Sequence, residues 1–353
     1  MSRIQSKITL LWFLILTSLS ISFEDEKEVI LVIQLSGSGI SSPTDLIASS
    51  LLNATWEQGP NELSPSGERQ SYLLGKKLRN LYIENDSFLP EEYDRKSIYV
   101  RTIDSNSTKM SAQSQLLGLY PLGTGEEFSN TRQRSNAIPP FTLSSSAKAK
   151  ISMNEVLGEK YNPIQLHTVP KSDDKLLRRY DLCPIIPELQ QNDFKKHDSH
   201  DETYSTLFEE LEEKFGIFQD DLIFSKAYPY IEAWKMATLD GQQLSANLSD
   251  RSINLIHDYF NEYSYKWLFK NTEKVSRLSS SELIDYLSTV LDLKLKAHKN
   301  DTSIPEFYKN IKLILLSGQD TTLMSLLTAF ELQGLTHAYP SSHIRIELNR
   351  LGN

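Results

Sequence analysis

The chain has 353 residues, 39% hydrophobic and 24% charged, a globular composition that excludes wholesale disorder and a polytopic membrane protein. Its 46 acidic against 37 basic residues give a formal charge of −9. Nucleic acid is therefore not an expected partner, because neutralising phosphates requires a basic face. A single cysteine, Cys183, excludes an intrachain disulfide and a thiolate zinc site, and neither metal nor cofactor is expected.

Residues 1–22 have signal-peptide anatomy. Arg3 and Lys7 form a positive start, Ile8–Leu16 is an apolar stretch, and Ser20 and Ser22 sit at −3 and −1 of a cleavage before Phe23. An uncleaved anchor is the other reading, but a spanning helix needs about 20 apolar residues. Cleavage takes the formal charge from −9 to −11 and leaves no run of spanning length. The expected location is secreted or lumenal, extracellular or lysosome-like. Five Asn-x-Ser/Thr triplets, at Asn53, Asn85, Asn106, Asn247 and Asn300, fit that route as glycan acceptors on exposed loops. Cys183 is expected to be buried, where a free thiol behaves as a small hydrophobe.

Glu28–Leu35 is a continuous β-branched run, the pattern of a strand covered on both faces. It ends in the turn-rich loop Ser36–Pro43. Ser64-Pro65 opens a helix with proline in its first turn, and Leu74, Leu78 and Leu81 give it an apolar stripe. Ser97–Ile103 reads as a second strand and Met110–Tyr120 as a second helix. From about 171 to 299 the patterns turn helical. Thr203–Phe215 is amphipathic and stops at Gly216, and Ser279-x-x-Glu282 reads as a capping box ahead of Leu283. Ile311–Leu316 is a strand that turns through Ser317–Thr322 into an apolar helix. The expected fold class is α/β, a mixed sheet with helices on both faces, carrying an inserted all-α domain. The expected domains are 23–170 with 300–353 for the sheet, and 171–299 for the insert.

Loops leaving the carboxyl ends of strands carry the chemistry of such sheets. Three qualify: Ser36–Pro43, Arg101–Met110 and Ser317–Thr322. Gly37-Ser-Gly39 lacks the third glycine of a dinucleotide loop, the lysine of a phosphate loop and the flanks of a nucleophile elbow. Arg101 can grip a phosphate or carboxylate, or be a plain surface arginine. Asp320 can serve as a general acid or as a helix N-cap, the commoner use of an aspartate there. The seven histidines contain no His-Glu-x-x-His pairing and none lies in these loops.

The same loops carry a resemblance. Val100-Arg-Thr-Ile-Asp-Ser-Asn-Ser-Thr-Lys-Met-Ser-Ala112 continues into Gln113–Pro121. With Glu62–Gly67, Gln70, His167–Pro170, Leu182–Pro184 and Asp320-Thr-Thr322, it resembles the secreted or lysosomal histidine acid phosphatases. The similarity runs from Glu28 to the C-terminus. It implies a catalytic Arg-His-Gly-x-Arg-x-Pro loop and a His-Asp-Thr-Thr turn, and a further strand beyond His343–Leu348. Against that pattern Gly37 and Ser41 occupy the two arginine positions, and Ser38 and Gln319 the two catalytic histidine positions. Arg101 remains to bind phosphate and Asp320 to donate the proton.

In the family the histidine attacks phosphorus. A serine hydroxyl needs an adjacent base before it can do so. Losing one preorganised donor to the transition state costs on the order of 3–4 kcal/mol, and here four groups are missing together. The resemblance therefore implies a pseudophosphatase with a binding or scaffolding role, touching a phosphorylated small molecule only weakly. One alternative is a weak acid phosphatase acting on phosphate monoesters through Ser38 or a water. Another is a poorly folded, functionless paralogue.

Overall fold

The computed structural model describes residues 27–137, 142, 144–147, 160–197, 202–263, 273–331 and 337–351. The targeting segment read at 1–22 lies outside them. Strand β1 (Lys27–Ser36) sends Leu31, Ile33 and Leu35 into one core and Val32 into another, the two-residue alternation of a strand buried on both faces. Strands β2 (Ile98–Thr102) and β3 (Leu313–Ser317) run parallel to it, and β4 (His343–Leu351) runs antiparallel. The order is β2-β3-β1-β4, so the sheet is mixed, and every residue of β3 is buried.

Helices cover both faces. On one, Glu273–His298 supplies Leu283, Leu287 and Val290, and Asp320–Ala329 supplies Leu323, Met324 and Leu326. On the other, Pro65–Arg79 supplies Leu78, Asn106–Leu119 supplies Leu116 and Leu119, and Tyr82 packs between them. Each leucine so buried contributes roughly 1.5–3 kcal/mol by leaving water. A third core belongs to the helices Ser205–Phe215, Tyr228–Leu239 and Asp250–Phe260. It centres on Leu207, Ile231, Ile256 and Tyr259 and reaches Ala48 and Leu52 after the first loop. Residues between 171 and 299 thus serve more than one core, because Glu273–His298 packs on the sheet. Cys183 is buried beside Ile186 and Val275.

Three local readings change. No helix begins at Ser279: the helix Glu273–His298 runs straight through it. Ser279 is buried and donates back to the Val275 carbonyl at 2.7 Å, and Ser280 to Ser276 at 2.9 Å. Interior serines satisfied by their own helix mimic a cap in sequence without ending anything. The helix expected from Met110 begins at Asn106, after Ser105. Asp320 is the first helical residue, and the capping position belongs to Gln319. Among the described residues no helix is long and apolar enough to cross a membrane.

Candidate functional site

Because β1, β2 and β3 are parallel, their carboxyl ends, and the three loops expected to matter, open on one edge of the sheet. Ser36, Thr102 and Ser317 stand level there, each paired to its neighbour. The Gly37 N–H donates to the Ser342 carbonyl at 2.9 Å, and the Ser38 carbonyl accepts from the Ser341 N–H at 2.7 Å. Neighbouring helices hold the rest of the loop. The Gly39 N–H donates to Ser111 Oγ at 3.1 Å, and the Ile40 N–H to Gln70 Oε1 at 3.1 Å. A Cβ on Gly39 would run into the Gly67 backbone, and one on Gly67 into the Ile40 carbonyl, so loop and helix touch only because both are glycine. Ser41 bridges to Leu63. Among the described residues neither the Ser38 nor the Ser41 hydroxyl has a hydrogen-bond partner. Among the described residues no base is hydrogen-bonded to Ser38.

Arg101 leaves β2 toward the same edge, yet its guanidinium is engaged. Nη2 donates to Asp174 Oδ1 at 2.7 Å, and the Asp174 side chain is wholly buried while that of Arg101 is 20% exposed. Asp174 also accepts from the Leu177 N–H at 3.2 Å. Gln319 Oε1 accepts from the Tyr180 hydroxyl at 2.9 Å, and its N–H donates to Thr322 Oγ1 at 3.1 Å. Gln319 is therefore a helix-capping, hydrogen-bonded residue.

Asp320 lies at the floor of a cleft, ringed by protein with its side chain 38% exposed. Burial raises its carboxyl above the ordinary range, against the pull of the Thr321 N–H and Lys235. Facing it are three residues that no motif announced: Glu232 and Lys235 from the helix Tyr228–Leu239, and His337. Burial and the Asp320 charge push the Glu232 carboxyl up to about 7. Burial pulls the Lys235 ammonium down to about 8, although Asp320 and Glu232 oppose the shift. His337 is 4% exposed, its ring 5.0 Å from that of Phe260. Burial, then Lys235, lowers it to about 3. Its Nε2 stands 3.7 Å from Asp320 Oδ2, but a neutral imidazole makes no ion pair there. The cleft thus sets two carboxyl groups, both held toward the protonated form by burial, against one ammonium.

The signal for Glu232 and Lys235 was present in Tyr228-Pro-Tyr-Ile-Glu-Ala-Trp-Lys235: two opposite charges three apart on a helix whose Ile231, Ala233, Trp234 and Ala237 are buried. His337 carried no signal, because only the tertiary fold brings it to Asp320. Asn53, Asn85, Asn106, Asn247 and Asn300 are all exposed.

The family model described as histidine phosphatase superfamily (branch 2) matches residues 2–351. The chain is 28% identical over 319 residues to lysosomal acid phosphatase of Xenopus laevis, covering 86% of this chain and 61% of that protein. It is 29% identical over 318 residues to prostatic acid phosphatase of Homo sapiens, covering 86% and 68%. It therefore spans about two thirds of the length of these curated relatives. Among solved structures, the phytase of Citrobacter braakii superposes with a TM-score of 0.63 at 15% identity, covering 91% of this chain and 81% of that one. The Klebsiella sp. ASR1 phytase gives 0.60 at 15%, covering 92% and 80%. These likenesses support the fold.

Proposed function

Because the chain belongs to the histidine phosphatase superfamily, branch 2, we propose that it is a secreted or lumenal glycoprotein of that fold with no efficient phosphatase chemistry, whose role is to bind. The observation that carries this reading is the shortage of cations at the site. A phosphoryl group needs converging cations, and here Arg101 is held by Asp174 while, among the described residues, Lys235 is the one cation acting on Asp320. Ser38 and Gln319 stand at the catalytic histidine positions, Gly37 and Ser41 at the arginine positions. Without a base beside it, the Ser38 hydroxyl is no nucleophile. Phosphate release from an aryl phosphate between about pH 4 and 6, where a carboxylic acid donor works, is the test. The expected result is none above buffer; robust turnover overturns the reading.

One observation favours a second reading, a weak acid phosphatase: burial keeps Asp320 protonated further up the pH scale, as a proton donor requires. In that case Asp320→Asn lowers the residual rate and Ser38→Ala abolishes any phospho-enzyme. The glycoprotein part is tested separately. A chain secreted from eukaryotic cells should lose mass on treatment with an asparagine-specific glycosidase, and an unchanged mass contradicts it.

A further inference from the structure

Next to the cleft, and lined in part by the same Lys235, lies a cavity of about 430 Å³. That is the size of a small-molecule site. Its walls are more apolar than polar, with Trp234, Leu244, Leu248, Ile253 and the ring of Tyr339 beside polar members such as Gln242 and Asn247. Lys235 is the only lysine or arginine in its described lining, and it is only 3% exposed. The ammonium lies 3.7 Å from the centroid of the Phe260 ring and 4.7 Å from that of Tyr339. Among the described residues nothing accepts a hydrogen bond from it. Two ring faces offset part of the desolvation of an ammonium, but they leave its three N–H donors unmet.

An unpartnered buried ammonium at an apolar cavity defines its complement. A neutral apolar ligand would leave the donors unsatisfied, and a cationic one would be repelled. A phosphate dianion would bring one negative charge more than Lys235 can neutralise, beside Asp320 and Glu232. A single carboxylate accepts the hydrogen bonds while bringing the least negative charge to Asp320 and Glu232, whose carboxyls burial holds toward the neutral form. We propose that this cavity binds a small organic acid, an apolar chain or ring bearing one carboxylate, with the carboxylate on Lys235 Nζ and the apolar body against Trp234, Leu244 and Ile253. The inference deepens the binding role proposed above, resting on that reading for its meaning, and names the ligand class.

The test titrates the full chain with decanoate, decanol and decyltrimethylammonium, followed by calorimetry, with phosphate release assayed on the same samples. Decanoate should bind at least about tenfold more tightly than decanol, the scale of a charge-assisted hydrogen bond, and the cation should not bind. Lys235→Met should erase the preference for decanoate while decanol still binds. Leu244→Trp, which fills the cavity and keeps the lysine, should abolish binding of both; it decides the matter if Lys235→Met does not fold. Equal affinity for decanoate and decanol, or decanoate binding that survives Leu244→Trp, overturns the proposal. Phosphate turnover would overturn the lost-chemistry reading alone, and absent decanoate binding this inference alone.

Discussion

Arg101 owes its position to Asp174, a carboxylate that water does not reach. Breaking a buried pair strands the remaining charge, so Arg101→Met should cost roughly 3–5 kcal/mol of stability. Adding Asp174→Asn removes the stranded charge and should return much of the loss. A denaturant double-mutant cycle measures this, and additive effects would show that the pair is not a structural unit. Glu232 makes a second residue-scale prediction. Its folded pKa of about 7 lies above the ordinary value of 4.5, so between the two the folded chain binds more protons than the unfolded chain. Stability therefore falls as pH rises through that window, by on the order of 3 kcal/mol at most. Glu232→Gln should flatten this slope in thermal melts run from about pH 4.5 to 7. A variant with the natural slope would mean that Glu232 is not the group responsible.

The first loop is seated on the helix Pro65–Arg79 by the backbone contact of Gly39 with Gly67. Gly39→Ala should cost on the order of 2 kcal/mol or more, because the atom it meets is backbone and cannot swing aside. A melting temperature within about one degree of the natural chain would contradict that seat. The strands were legible because Glu28–Leu35 and Ile311–Leu316 are apolar runs too short for buried helices and bounded by turns. The edge that gathers the three loops was legible because parallel strands bring their carboxyl ends together. The helix Glu273–His298 was misread at its start, since a serine bonded to its own helix and a capping serine look alike in sequence. Asp320 was read as a possible cap, yet Gln319 holds that place because its backbone is extended there and its N–H meets Thr322. Glu232, Lys235 and His337 stayed invisible as a group. Their meeting with Asp320 is a product of tertiary packing between the helical layer and the sheet, and no local spacing encodes it.

At the scale of the whole molecule, the family scaffold is kept, and the proposed loss of phosphatase chemistry lies in the few side chains that line its centre. A net charge of −9 already disfavours the approach of a phosphate dianion, and a cleft with two carboxyl groups and one lysine does nothing to focus it. The scaffold itself admits repair. A Cβ on Gly37 would crowd the movable end of Leu323 at 3.0 Å and meet the Asp320 and Ser342 backbone at an ordinary 3.7 Å, so the first atom of a side chain there demands only a side-chain adjustment. The most direct measurement compares aryl phosphate hydrolysis at acid pH by the natural chain and by a Gly37→Arg/Ser38→His/Ser41→Arg/Gln319→His variant. The account predicts a silent natural chain and a variant faster by at least about a thousandfold, since several transition-state donors return together. A natural chain that turns over as fast as the variant would contradict it, and Ser38 or a water would then be the nucleophile.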